Sequence, residues 1–88
     1  MATELTNLLS GFGIKCKDER EEVSGMVLSI EVHKKKYILR VLYRRDDNGK
    51  TASVGLYTHQ LGFLVANGYV YTKTHTIQLS RTYPLTQL

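Results

Sequence analysis

The sequence predicts a small α+β domain: a twisted antiparallel sheet of about five strands, with two short helices on one face. Three observations lead to this fold class. From Gly25 onwards apolar residues alternate with polar ones, the period of strands that bury one face. Asn48-Gly49 separates two such runs, as in a β-hairpin. Two further segments carry leucines at helical spacing and end at glycine.

The first segment predicts a short helix. Thr3 can act as its N-cap, and Gly11 with Gly13 can end it. Its apolar side chains share one helical face: Leu5, Leu8, Leu9 and Phe12. Ile14 to Lys17 then predict a brief strand. The charged run KDEREEVSG that follows is typical of a solvated loop.

The next two strands flank the basic run HKKK at positions 33–36. Even-numbered residues from Met26 to Val32 are apolar on the first strand, and odd-numbered residues from Tyr37 to Tyr43 on the second. Placing Val32 opposite Tyr37 brings both apolar sets to one face and Met26 opposite Tyr43. A slip of one residue would expose the whole set, so the pattern favours this register.

The second hairpin extends the same face. Asn48 and Gly49 both accept positive φ, which predicts a two-residue turn that pairs Asp47 with Lys50. Tyr43 then lies opposite Val54. Because two independent turns keep one face apolar, the sequence predicts a central three-stranded meander.

A second helix is predicted after the meander. Thr58 can cap it, Leu61, Leu64 and Val65 form its stripe, and Asn67-Gly68 can end it. The last pattern predicts a hairpin whose arms are Tyr69 to Thr72 and Ile77 to Tyr83. The predicted domain covers residues 1–84, and residues 85–88 are expected to form a loose tail.

Size and composition exclude several classes of protein. Eighty-eight residues make one domain, and no apolar run approaches the roughly 20 residues that span a bilayer. The first residues lack the basic region of a secretion signal. Cys16 is the single cysteine and cannot form an internal disulfide. We therefore expect no membrane span and a reducing, cytoplasmic location.

Enzyme motifs are missing from the sequence. His33, His59 and His75 lack metal-ligand spacing, and Gly11 to Gly13 lack the third glycine of a dinucleotide site. The acidic residues concentrate in one charged run, which is unlike the shielded carboxylate pair of a hydrolase. We expect no catalytic residue, no metal and no cofactor.

A basic sheet face is the remaining candidate site. The formal charge is +4, which suits a nucleic acid or an acidic protein surface. The predicted register places Arg40 between Ser29 and Tyr57, and small residues around it leave room for a phosphate or a base. The predicted binding residues are Lys34, Lys35, Lys36, Arg40, Arg44, Lys50 and Tyr57.

Two functions fit this face. The first is a non-catalytic regulator that binds DNA or RNA. The second is an adaptor or inhibitor that binds another protein, of the small accessory type encoded by viruses and mobile elements. Val27, Ile38 and Leu42 are predicted on the same face, which is typical of a surface partly covered by a helix or by a second copy of the chain in a homodimer. A merely solvated face is the third interpretation.

Overall fold

The computed structural model describes residues 7–33 and 38–81. They form one antiparallel sheet of six strands, in the spatial order β4-β3-β2-β1-β6-β5, and one helix. The elements have these bounds: β1 Gly13–Lys17, β2 Glu22–His33, β3 Ile38–Arg45, β4 Thr51–Tyr57, α1 Thr58–Asn67, β5 Tyr69–Tyr71 and β6 Thr76–Leu79. The α+β class is thus confirmed. The sheet has one more strand than predicted, and the described residues contain one helix instead of two.

The predicted first helix is replaced by a turn in its described part. Leu9 has a φ of 65°, in the left-handed region that a right-handed helix cannot contain. The segment is tied to β2 instead: Gly11 N donates to Val27 O over 2.9 Å, and Val27 N donates to Phe12 O over 2.8 Å. Leu9 and Phe12 are buried, so two members of the predicted stripe reach the core from this turn. Thr3 and Leu5 lie outside the described residues.

A β-bulge at Leu28 reverses the predicted faces of β2. Val27 pairs with Tyr43, but Ser29 pairs with Leu42, so Leu28 is an extra residue. Odd-numbered residues face the core before the bulge, whereas Ile30 faces it afterwards. The prediction that Met26 and Leu28 are buried and Val27 is on the open face is therefore wrong. Val27 is 1% exposed and Met26 is 52% exposed. The strand also begins at Glu22, inside the predicted loop.

The pairing of β3 differs from the predicted register by two residues beyond the bulge. Val41 lies opposite Ile30 on β2 and opposite Val54 on β4. An offset of two keeps every side chain on its face, and Leu39, Val41 and Tyr43 are buried as predicted.

The β3–β4 turn explains the offset on the β4 side. Arg45 N donates to Lys50 O over 2.8 Å, which leaves four residues, 46–49, in the turn instead of two. Gly49 alone has a positive φ, 71°, so this is not the predicted turn type. Asp47 consequently pairs with Arg45 and not with Lys50.

The helix α1 and the last hairpin lie where the sequence places them. Tyr57, and not Thr58, is the N-cap residue, and its amide donates to Gln60 Oε1 over 2.8 Å. Gly68 ends the helix at a φ of 84°, with its amide donating to Leu64 O. The hairpin pairs Val70 with Ile77. Residues 82–84 of the predicted domain and the predicted tail fall outside the described residues.

The sheet is curled, because α1 connects one of its edges to the other. Six strands about 4.8 Å apart would separate β4 from β5 by roughly 24 Å in a flat sheet. A helix of ten residues spans only about 15 Å. Curling brings the edges together, and α1 contacts β4, β3, β5 and β6. Leu61, Leu64 and Val65 of α1 are buried in the resulting core. No helix within residues 7–33 and 38–81 is long and apolar enough to cross a membrane.

Tyr43 crosses beneath β2 where Gly25 leaves room. A Cβ atom on Gly25 would lie 2.2 Å from Arg44 O and 2.9 Å from the Tyr43 ring. The ring reaches Cys16, with which it shares a side-chain hydrogen bond. Burial raises the pKa of the Cys16 thiol to about 11, and this hydrogen bond lowers it by less. Burial also raises the pKa of Tyr43 to about 12.

Replacing Gly25 by alanine should destabilise the protein by roughly 1–3 kcal/mol, because backbone and ring must both move. Gly62→Ala is the matched control. A Cβ atom there meets nothing within 4 Å, and alanine favours helix, so we expect a gain of about 0.5–1 kcal/mol. Urea unfolding of both variants measures the difference. Equal stabilities would show that the close approach at Gly25 is not a constraint.

Stability should decline as the pH rises above about 9. The folded state keeps the Cys16 proton up to about pH 11, whereas an unfolded thiol loses it near 9.0. Folding is therefore favoured below pH 9, and this contribution is lost as the pH rises towards 11. Urea unfolding across this range should give a shallower decline for Cys16→Ala than for the parent. Identical slopes would contradict the assignment.

Candidate nucleic-acid interface

The face of β2–β4 that points away from the core carries the predicted arginines. We call it the outer face. It comprises these residues: Met26, Ser29, Glu31, Ile38, Arg40, Leu42, Arg44, Thr51, Ser53, Gly55 and Tyr57. Arg40, Arg44 and Tyr57 are exposed there, as the alternation predicts. Ile38 and Leu42 are partly buried on the same face, whereas Val27 belongs to the core.

The neighbours of Arg40 differ from those predicted. Arg40 lies between Glu31 and Gly55, not between Ser29 and Tyr57. Arg40 Nη1 is 4.0 Å from Glu31 Oε1, and both side chains are about half exposed. An ion pair of this length in water is weak, so the guanidinium can exchange Glu31 for a ligand.

Arg44 lies four residues further along β3. Its neighbours are Met26 and Thr51, not the predicted Gly25 and Ser53. Within the described residues, no acidic side chain comes within ion-pair distance of Arg44. Among the described residues, its positive charge is therefore not compensated by an ion pair on the outer face.

Arg45 and Lys50 stand at the two ends of the β3–β4 turn, and their positive charges differ in how they are paired. Arg45 forms two hydrogen bonds with Asp47, of 3.0 and 2.7 Å, and approaches Glu21 Oε2 at 3.7 Å. The bond with Arg45 lowers the pKa of Asp47, and the same bond raises the pKa of Arg45. Lys50 is exposed, and the described residues offer its ammonium no acidic partner. Of these two cations, Lys50 is the one available to a ligand.

Lys34, Lys35 and Lys36 lie outside the described residues. The chain between β2 and β3 contains them, so the sequence attaches three positive charges to the ends of these strands. Ile38 and Tyr57 form the adjacent cross-strand pair.

A groove of about 480 Å³ lies between the end of β4, the first turn of α1 and the β5–β6 turn. Tyr57 is 52% exposed, and its ring lies parallel to that of His59, with centroids 5.9 Å apart. The groove contains no acidic residue; its lining is Ile38, Gly55, Leu56, Tyr57, His59, Gln60, Thr72, Lys73 and Thr74. Sequence reasoning missed residues 72–74 here, because only the curled sheet brings their turn to β4.

Gly55 leaves an unfilled position beside Arg40. Its backbone has no positive φ. A Cβ atom would meet Ile38 Cγ2 at 3.9 Å and Leu39 O at 4.0 Å, which are ordinary contacts. Glycine inside a strand costs about 0.5–1 kcal/mol relative to alanine. The described structure requires no glycine here, and glycine in a strand often marks close approach by a ligand.

An aromatic cluster occupies a second surface, on α1 and β5. Phe63, Tyr69 and Tyr71 are 45%, 41% and 70% exposed. The centroids of Phe63 and Tyr69 are 5.5 Å apart, and so are those of Tyr69 and Tyr71. Outside this cluster, Arg81 lies 4.2 Å above the Phe12 ring, and His75 Nε2 is 3.9 Å from Asp18 Oδ2.

No three His, Cys, Asp or Glu side chains come together to hold a metal ion in the part of the chain that the structure describes. The chain matches no protein-family model, no curated protein and no solved structure. The site must therefore be interpreted from its own geometry.

Gly55→Thr should stabilise the folded chain by roughly 0.5–1 kcal/mol, because threonine favours strands and the position has room. Urea unfolding measures the change, with Gly55→Ala as the smaller step in the same direction. A loss of stability in both variants would show that glycine has a structural role in β4.

Proposed function

We propose that this protein is a small non-catalytic regulator that binds nucleic acid through the outer face of β2–β4. The observation that carries the proposal is the exposure of Arg40 and Arg44 on a face that the helix leaves uncovered. Four residues of strand separate them by about 13 Å. Guanidinium groups suit phosphate oxygens because their fork of donors can bind two oxygens at once.

The surroundings of the arginines support an anionic partner. β3 and β4 contain no acidic residue, so Glu31 of β2 is the acid that faces Arg40. Lys50 and the three lysines at 34–36 place further positive charge at the two ends of this face. Small side chains at Ser29 and Ser53 let a backbone approach the sheet closely.

A protein-binding adaptor or inhibitor is the second candidate. It could use the same arginine and tyrosine surface, because both residue types are favoured at the energetic centres of protein interfaces. The exposed cluster of Phe63, Tyr69 and Tyr71 specifically favours this function, since three contacting rings provide apolar area that a nucleic-acid backbone does not need.

Arg40→Ala with Arg44→Ala should weaken binding to single-stranded and duplex oligonucleotides of several sequences. Two lost phosphate contacts should also reduce the slope of log affinity against log salt concentration by about 1.5. Fluorescence anisotropy over a salt series measures both. The control is Lys15→Ala with Lys17→Ala, which removes the same charge from exposed positions of β1. Equal losses of affinity in the two double variants would show that only net charge matters, which would contradict the proposed site.

Capture from cell lysate with and without nuclease separates the two functions. Nucleic-acid binding predicts partners that disappear after nuclease treatment and after the Arg40/Arg44 double substitution. A protein partner that survives nuclease, and is lost from Tyr71→Ala while the arginine variant retains it, would establish the second candidate instead.

A further inference from the structure

We infer that the groove beside Gly55 holds one unpaired base of a single-stranded nucleic acid, stacked on Tyr57. This inference rests on the proposed function and deepens it, because it names the form of nucleic acid bound. It depends on the shape, rings and charge of the groove, to which Arg40 contributes one of two neighbouring cations.

The shape of the groove suits a planar ligand. Its volume of about 480 Å³ is within the range of small-ligand sites. The Tyr57 and His59 rings are parallel to within 6°, so they present flat apolar surfaces in one orientation. The missing side chain at Gly55 opens the strand surface two residues before Tyr57, on the same face.

The charges of the groove select an anion. None of its lining residues is acidic, and Lys73 forms no ion pair among the described residues, whereas Asp18 and Glu19 line neighbouring clefts that Lys73 shares. Arg40 lies directly opposite Gly55 across the β3–β4 pair. A nucleotide whose base rests on Tyr57 therefore has a cation on β3 and another on the β5–β6 turn for its neighbouring phosphates.

Gln60 can contact the edge of the base. Its Oε1 atom accepts a hydrogen bond from Tyr57 N over 2.8 Å, which fixes the amide at the groove and leaves its NH₂ group to donate. Stacking on Tyr57 accepts any base, and Gln60 adds only one hydrogen-bond donor. We therefore expect the protein to prefer single strands over duplexes strongly and one base over another only weakly.

A duplex cannot use the groove as a single strand can. Bases in a duplex are covered on both faces by their neighbours, so contact with Tyr57 requires an unstacked base. The arginines of the outer face contact phosphates in either form. The groove thus distinguishes single strands, while Arg40 and Arg44 supply affinity that both forms share.

The experiment compares a labelled single-stranded oligonucleotide of about 12 nucleotides with its duplex by fluorescence anisotropy at fixed salt. We expect Tyr57→Ala to weaken single-strand binding roughly 5- to 100-fold and duplex binding little, since one stacked base is lost. Gly55→Thr should have the same selective effect by filling the groove. Lys73→Ala should weaken single-strand binding more than Lys15→Ala, a lysine outside the groove.

Gly62→Thr is the matched control for Gly55→Thr, because it is the same substitution at an exposed glycine outside the groove, where a Cβ atom would meet nothing within 4 Å. Urea unfolding of each variant confirms that the compared proteins are folded. If Gly55→Thr and Tyr57→Ala bind single strands like the parent, or lose both forms equally, the groove assignment is wrong while the proposed function stands. If the parent binds neither form with a steep salt dependence, the proposed function itself fails.

Discussion

One extra residue in β2 determines how the two halves of the sheet share a core. Before the bulge at Leu28, Val23 and Val27 point inward, opposite Cys16 of β1 and Tyr43 of β3; after it, Ile30 points inward opposite Val41 of β3. A regular strand would turn one of these sets to solvent, because side chains alternate strictly. The bulge also increases local twist. β2 belongs both to the β2–β4 meander and to the β1–β2 hairpin. Added twist in this strand therefore suits the curl that α1 requires.

The curl brings two distant parts of the sheet to one groove. The β5–β6 turn belongs to the edge of the sheet opposite β4, yet both line the same groove. A short helix between the two edge strands brings them together, and Leu61, Leu64 and Val65 fill the space inside. The groove is therefore a product of topology: neither hairpin contains it alone. Lys73 can contribute to the same candidate binding surface as Arg40 only because the sheet bends.

The parts of the fold that local signals encode could be predicted from the sequence, and the parts that depend on distant contacts could not. The stop of α1 at Gly68 and the shared face of Val41 and Val54 follow from spacing and turn residues. The bulge could not be predicted, because Met26 and Leu28 are apolar and continue the alternation of Ile30. The spacing of Leu9 and Phe12 is compatible both with a helix and with a turn hydrogen-bonded to β2. For the site, the exposure of Arg40, Arg44 and Tyr57 was predictable, but the groove was not.

An error of two residues in the predicted register leaves the arginines on the exposed face but changes the residues opposite them. Both pairings of β3 differ from the predicted register by an even number of residues beyond the bulge, so faces are preserved while partners change. Arg40 consequently exchanges Tyr57 for Gly55 as its neighbour. This exchange strengthens the case for a ligand, because a tyrosine would cover the stem of the arginine, whereas glycine leaves the strand surface open beside it. Position 55 has room for a Cβ atom, and a side chain there should add stability, yet glycine keeps an opening between a cation and an exposed ring. Selection for folding alone gives no reason for that arrangement, and the proposed contact with a flat anionic ligand would give one.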